Sequence, residues 1–73
     1  MKLTDLKIEQ KAIIEKIECN DELKQRFYSF GIFKGATVFV ENISFARNTI
    51  EINVEDTSIA LRVEEAKSIT VKI

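Results

Sequence analysis

The second half of the chain alternates apolar and polar residues with a period of two. The alternation covers residues 50–54 and 69–73, and Ile59, Leu61 and Val63 follow the same pattern. A period of two places every second side chain on one face, which is typical of half-buried strands. The pattern therefore predicts three strands after residue 49.

Residues 37–40 add a fourth predicted strand, because they form a run of β-branched and aromatic side chains. Val38 and Val40 would face one way and Phe39 the other. Between the strands lie short segments whose Asn and Asp side chains can hydrogen-bond the local backbone, which favours turns. These predicted turns are residues 48–49 and 56–58.

A helix is predicted over residues 21–30, where Leu23, Phe27 and Phe30 form one apolar stripe at helical spacing that should face the core. Asn20 or Asp21 can cap its first turn, since both side chains accept hydrogen bonds from free backbone N–H groups. Gly31 follows the last apolar position, where a left-handed residue commonly ends a helix. The helix should stop there.

Residues 3–18 allow two interpretations. Their apolar positions fit a helical face, and no Gly or Pro interrupts them, so periodicity alone favours a helix. The alternative takes residues 12–18 as a strand with Ile13 and Ile17 on one face. The positions that fit the helical face are Leu3, Leu6, Gln10, Ile13, Ile14 and Ile17.

Composition predicts one small domain over residues 1–73. Apolar residues make up 45% of the chain and charged residues 32%, which is an ordinary globular balance rather than a disordered one. A chain of 73 residues has room for one core. No internal repeat or linker-like cluster divides it.

Charge and hydropathy argue against two classes of partner. The net charge is −1 with the signs interspersed, so there is no basic stripe to engage a nucleic-acid backbone. No apolar run approaches the roughly 20 residues that cross a bilayer, so we expect no direct membrane insertion. Asp5 interrupts the start of the chain where a secretion signal would become apolar, and the single cysteine, Cys19, cannot form an internal disulfide. We therefore expect a cytoplasmic protein.

Residues with catalytic chemistry are scarce, and no catalytic residue is predicted. Histidine is absent, which removes the commonest general acid-base and a common metal ligand. Cys19 lies beside Glu18 and Asp21, whose charges disfavour a thiolate, and it is only a weak candidate metal ligand because the spacing of nearby acids matches no known ligand pattern. Glu64 and Glu65 are better explained as the solvated first turn of a short helix. No cofactor is predicted.

The two glycines and several aromatic residues are more informative. Gly31 and Gly35 read as structural turn positions, with Gly35 at positive φ before the strand at residue 37. Tyr28 lies off the helical stripe, and exposed aromatic residues and arginines are common anchors for protein partners. The candidate partner-binding residues are Tyr28, Phe33, Phe45 and Arg47. The alternative is that these aromatics close the ends of a small barrel.

The order of these features resembles the FeoA family, small accessory proteins of bacterial ferrous-iron transport. The resemblance is carried by Leu6-Lys7, by residues 22–38 with Arg26, Gly31 and Gly35, and by residues 59–71 with Ala60-Leu61-Arg62. It spans nearly the whole chain. The departures lie at turns rather than at core positions, so the loop over residues 44–49 is expected to differ. They are Glu9, Lys34, Ala46, Thr49 and Asp56, each at a position where the family usually has a glycine or proline.

The resemblance implies a mostly β fold: a five-stranded SH3-like barrel with residues 12–18 as its first strand, a helix between strands 1 and 2, and a short helical turn before the last strand. It implies a non-enzymatic protein that binds the cytosolic part of FeoB, the ferrous-iron transporter with a GTPase domain. The rival functions are a metalloregulatory module like the appended barrel of iron-dependent repressors, or a nucleic-acid-binding SH3-like domain. Self-association is left open.

Overall fold

The computed structural model describes all 73 residues as five antiparallel strands in one curved sheet, with two helices and a 3-10 turn. The order across the sheet is β4-β3-β2-β1-β5, so β4 and β5 are the two edges. This confirms the mostly β fold, the helix after the first strand and the helical turn before the last. In chain order the elements are the 3-10 turn Leu3–Asp5, β1 Lys11–Ile17, α1 Asp21–Ser29, β2 Thr37–Ser44, β3 Thr49–Val54, β4 Thr57–Arg62, α2 Val63–Ala66 and β5 Ile69–Lys72.

The core is one cluster of 17 buried residues, and every one of them is apolar. The strands supply most of it by alternation, and Val38 and Val40 face inward as predicted while Phe39 lies on the other face. Phe27 is the one fully buried residue of α1. Leu3 and Leu6 enter the same cluster from the segment before β1. The helix and the first residues of the chain are thereby attached to the sheet.

Within the first 18 residues the helix that periodicity predicts is wrong, and the alternative, a strand, is confirmed as β1. Within that strand the predicted face was wrong for Ile13, which is 51% exposed, whereas Ile14 is buried. Ile14 pairs with Val71 and Lys16 with the preceding Thr70, so β1 carries one extra residue, a β-bulge. The bulge shifts the alternation and brings Ile14 and Ile17 to one side at a spacing of three. That spacing mimics a helical pattern in the sequence.

The ends of α1 follow the predicted caps. The Asn20 side chain accepts a hydrogen bond from the Leu23 N–H at 2.8 Å. At the other end Gly31 has a φ of +84°, and the N–H groups of Gly31 and Ile32 bond to the carbonyls of Tyr28 and Phe27 at 3.1 and 2.8 Å. This is a Schellman motif, in which the second bond closes the turn over the last helical carbonyls. The helix therefore ends where Gly31 predicts.

The inward orientation predicted for Phe30 is wrong, because this residue is 38% exposed. Phe30 is the C-cap residue, and the chain reverses immediately after it. The reversal turns Ile32 into the core, where it is fully buried. Ile32 thus takes the place that helical periodicity assigned to Phe30, while Leu23 is half-buried against the core.

The prediction that Val63 belongs to a strand is also wrong, since this residue begins α2 rather than continuing β4. Its N–H bonds to the Asn48 carbonyl at 2.9 Å. The predicted helical turn at Glu64 and Glu65 is confirmed, and the Glu65 carboxylate accepts a hydrogen bond from the Arg62 N–H at 3.1 Å. That bond satisfies one of the free N–H groups at the start of α2.

The turns agree with the predicted residue types but are shifted in position. Gly35 has a φ of +95°, as predicted, and Asn48 has a φ of +55°. The hairpin turn between β3 and β4 uses Glu55 and Asp56, both at positive φ, so residues 57 and 58 predicted as turn already belong to β4. Two left-handed residues joining paired strands form a type I′ turn, whose twist matches that of the strands. The β2 strand also continues to Ser44, four residues beyond its predicted end.

We predict that Gly31→Ala lowers the free energy of unfolding by about 1–2 kcal/mol, because an L-residue at positive φ is strained. No atom lies within 4 Å of an added Cβ, so the cost is purely conformational. Urea denaturation followed by circular dichroism measures it. The matched control is Gly31→Asn, which tolerates left-handed geometry and should lose less. Equal losses for the two variants would contradict the conformational explanation.

Candidate interaction surface

The most exposed aromatic residue, Phe45, is at the tip of the turn between β2 and β3. Its side chain is 90% exposed. The turn is held by a hydrogen bond from the Asn48 N–H to the Phe45 carbonyl at 3.3 Å, and by the bond from Val63 to Asn48 described above. The local backbone is therefore fixed while the ring extends into solvent.

A groove of about 280 Å³ lies beside this ring. Ile50 is buried at its base, and Ile43 and Val63 contribute half-buried apolar walls. Apolar recesses next to an exposed aromatic ring are typical of sites that receive a partner's side chain. We call this surface, comprising Phe45 and its groove, the Phe45 groove. It is lined by Thr4, Ile43, Ser44, Phe45, Asn48, Ile50 and Val63.

Tyr28 lines a different groove, of about 360 Å³, between α1 and β1. Its ring is 52% exposed. Three lysines and one glutamate share this groove with it, so its charged residues are mainly basic. It is lined by Glu15, Lys16, Ile17, Lys24, Tyr28 and Lys34. No residue is common to this groove and the Phe45 groove.

The four residues proposed for partner binding thus lie on the surface but do not form one site. Phe33 is 46% exposed between the two glycine turns, and Arg47 is exposed two residues after Phe45 in the chain. Neither lines the two grooves. Sequence reasoning missed Thr4 and Val63 in the Phe45 groove, because they come from segments distant in sequence. It also missed the exposure of Ile13, which alternates with the buried Ala12 and Ile14 before the bulge in β1.

Cys19 is half-buried and packs against the core. No group of three or more histidine, cysteine, aspartate or glutamate side chains is close enough together to hold a metal ion. The structure therefore supplies Cys19 with no set of further ligands. Its role as a metal ligand stays a prediction.

The charged residues all lie at or near the surface, since no polar or charged side chain is buried. Two ion pairs are present. Arg26 on α1 contacts Glu65 on α2 at 2.9 Å, and Lys16 contacts Glu18 at 3.5 Å. Arg26, one of the residues that carry the resemblance to the FeoA family, therefore links α1 to α2. Neither helix is long and apolar enough to cross a membrane.

The arrangement of barrel, helix and glycine turns is shared with proteins of known family. A family model described as the FeoA domain matches residues 1–73. The chain belongs to the FeoA family. It is 37% identical over 73 residues to a Campylobacter jejuni protein named as an Fe(2+) transport protein A, covering all of this chain and 99% of the relative.

Solved FeoA structures have the same fold. The FeoA protein of Chlorobium tepidum superposes with a TM-score of 0.93 at 29% identity, over all of this chain and 70% of that one. The Stenotrophomonas maltophilia FeoA, solved in complex with zinc and described as a prokaryotic SH3 domain protein, superposes with a TM-score of 0.83 at 28% identity, over 99% of this chain and 89% of that one. The SH3-like barrel is thereby confirmed.

One further solved structure contains this barrel. The IdeR protein of T. acidophilum matches with a TM-score of 0.88 at 22% identity, and the FeoA chain covers 33% of its length. At that identity the likeness concerns the fold alone.

Proposed function

We propose that this FeoA-family chain is a cytosolic, non-enzymatic accessory protein of ferrous-iron uptake that binds the cytosolic part of a FeoB-type transporter. Membership of a family whose relatives are named for Fe(2+) transport supports the pathway. The chain has no histidine, the commonest general acid-base, and no carboxylate or amine in the buried surroundings that tune such groups for catalysis. A resident cofactor is not part of the proposal.

The observation that carries the binding role is the exposure of Phe45 beside an apolar groove. A phenyl ring that is 90% exposed contributes almost nothing to the core, and burial of its apolar surface is favourable. Aromatic anchors next to a recess are the residues that most often dominate the affinity of protein interfaces. We therefore assign the Phe45 groove as the main contact with the transporter, with Tyr28, Phe33 and Arg47 as secondary candidates.

We predict that Phe45→Ala weakens binding to the purified cytosolic part of the transporter by tenfold or more, which corresponds to about 1.4 kcal/mol or more. Isothermal titration calorimetry measures the affinity. The matched variant is Tyr28→Ala, which removes a half-exposed ring from the other groove and should change the affinity less. Unchanged affinity for Phe45→Ala, with strong loss for Tyr28→Ala, would reject the Phe45 groove as the main contact.

The cellular counterpart is ferrous-iron uptake at limiting iron. Deletion of the gene should lower uptake, and the Phe45→Ala gene should restore it less than the unaltered gene at equal protein level. Uptake that is unchanged by the deletion would contradict the accessory role itself. This outcome is separate from a failure of the Phe45 groove, which would leave the deletion phenotype intact.

A further inference from the structure

The two edges of the sheet are treated differently. The outer edge of β5 is covered by the first residues of the chain: Lys2 pairs with Thr70, and the Val71 N–H donates to the Met1 carbonyl at 2.8 Å. No segment pairs with the outer edge of β4, which is hydrogen-bonded only to β3. One edge is therefore closed and the other is open.

The open edge presents free backbone groups. Antiparallel strands alternate between residues bonded to the neighbour and residues whose N–H and C=O point away. The Val63 N–H donates to the Asn48 carbonyl, so the backbone of Val63 and of every second residue before it points toward β3. The backbone groups of the residues in between, Ser58 and Ala60, therefore point outward. Both residues are exposed, and neither makes a hydrogen bond outside the sheet. Two donors and two acceptors are thus available for another strand.

Little on β4 protects this edge, since its one charged residue, Arg62, is the last residue of the strand. Natural edge strands usually carry a lysine, a proline, a bulge or an inward-pointing charge that prevents pairing with other chains. The β4 sequence is Thr-Ser-Ile-Ala-Leu-Arg, it pairs with β3 in unbroken register, and its outward residues Ser58 and Ala60 are small. A second strand can approach without steric obstruction from these side chains.

We propose that β4 pairs with β4 of a second copy of this chain, antiparallel about a two-fold axis at Ile59. Because β5 is covered, the open edge cannot pair head-to-tail with the β5 of another copy, which would build rings or filaments. Pairing of β4 with itself uses the same surface on both copies and closes after two. The inference concerns the sheet edge and does not depend on binding to FeoB.

Charge selects the register. With the axis at Ile59, Ser58 of each copy lies opposite Ala60 of the second copy, and Arg62 lies alongside Asp56 of the second copy. Neither Arg62 nor Asp56 has an oppositely charged partner within 4 Å in the single chain. Moving the axis to Ala60 would instead place Arg62 opposite the uncharged Ser58 of the second copy, and opposite cross-strand charges stabilise a strand pair.

The inner side of the strand is consistent with this register. Ile59 is the most exposed of the 17 core residues, at 9%. On the two-fold axis the Ile59 side chains of both copies meet and cover each other. A single strand pair buries less than the roughly 1,200 Å² of a standard stable interface, so the dimer should be weak and dependent on concentration.

Sedimentation equilibrium of the full chain tests the proposal, over about 20 µM to 1 mM, where weak interfaces of this kind associate. The unaltered protein should show a reversible monomer–dimer equilibrium. Ala60→Pro should lower the association constant at least tenfold, because proline has no N–H, and the barrel should be preserved because that N–H is not used within it. Ala60→Ser keeps the N–H and is the matched control, with unaltered association expected. Circular dichroism checks that all three chains are folded.

A charge exchange tests the register. Arg62→Glu should weaken the dimer, and adding Asp56→Lys to it should restore association by returning opposite charges to the same positions. A protein that stays monomeric at 1 mM, or a dimer that Ala60→Pro leaves unchanged, overturns the proposal. If Ala60→Pro lowers the association constant but neither charge variant changes it, the register about Ile59 is overturned.

Discussion

Phe27→Ala is expected to lower the free energy of unfolding by about 3–5 kcal/mol, the usual cost of removing a buried phenyl ring. Phe27 is fully buried, and it is the only buried residue of α1. Its carbonyl also accepts the Ile32 N–H that closes the helix. The substitution therefore removes the main attachment of α1 to the sheet and leaves a cavity that the rigid barrel cannot fill.

The loss expected for Phe27→Ala is large relative to the total free energy of unfolding of the chain. Domains are stabilised by about 0.05–0.15 kcal/mol per residue, which gives this chain about 4–11 kcal/mol in total, so the substitution removes a large part of its stability or all of it. Urea or thermal unfolding followed by circular dichroism measures the difference. Phe45→Ala is the matched control, because it makes the same chemical change at an exposed ring and should alter stability by about 0.5 kcal/mol or less. Similar losses for both variants would contradict the assigned core.

Leu3→Ala is expected to cost about 2–5 kcal/mol, although residues this close to the start of a chain are commonly loosely attached. Leu3 is fully buried in the 3-10 turn and belongs to the central cluster. It anchors the preceding residues, Met1 and Lys2, which cover the edge of β5. Its truncation should therefore loosen that cover as well as the core.

Two measurements separate these effects. Urea denaturation gives the global loss, and amide hydrogen exchange at Val71 reports the bond to Met1 directly, with faster exchange expected in Leu3→Ala. Ile8→Ala is the control, because Ile8 is a large apolar residue of the same segment that is mainly exposed. Unchanged stability and exchange in Leu3→Ala would show that the first residues do not contribute to the fold.

Much of the fold follows from local pattern, because a half-buried strand imposes a period of two that the sequence of β3, β4 and β5 displays openly. Gly31 and Asn20 likewise determined the ends of α1, Gly31 through its left-handed backbone and Asn20 through its side-chain cap. The failures came from irregularities. The bulge in β1 produces a spacing of three that imitates a helix, and the reversal at Gly31 exchanges Phe30 for Ile32 in the core. The resemblance to FeoA, not periodicity, identified the first strand.

The candidate surfaces were predictable only in part. The exposure of Tyr28 and Phe45 follows from their positions outside the apolar stripes, but a groove requires residues from several elements. Thr4 and Val63 reach the Phe45 groove through the closure of the barrel, which leaves no mark in the local sequence. The open edge of β4 is similar, because it depends on which strands become neighbours.

The interior of this protein contains no polar side chain that requires a partner. Its shape is therefore maintained by apolar volume and turn geometry, and no surface side chain is needed to neutralise or hydrogen-bond anything inside. Exterior residues can diverge one at a time without disturbing the barrel. This freedom accounts for the barrel of the IdeR structure, which keeps the same architecture at 22% identity. The same scaffold can thus acquire new partners over evolutionary time while its centre stays constant.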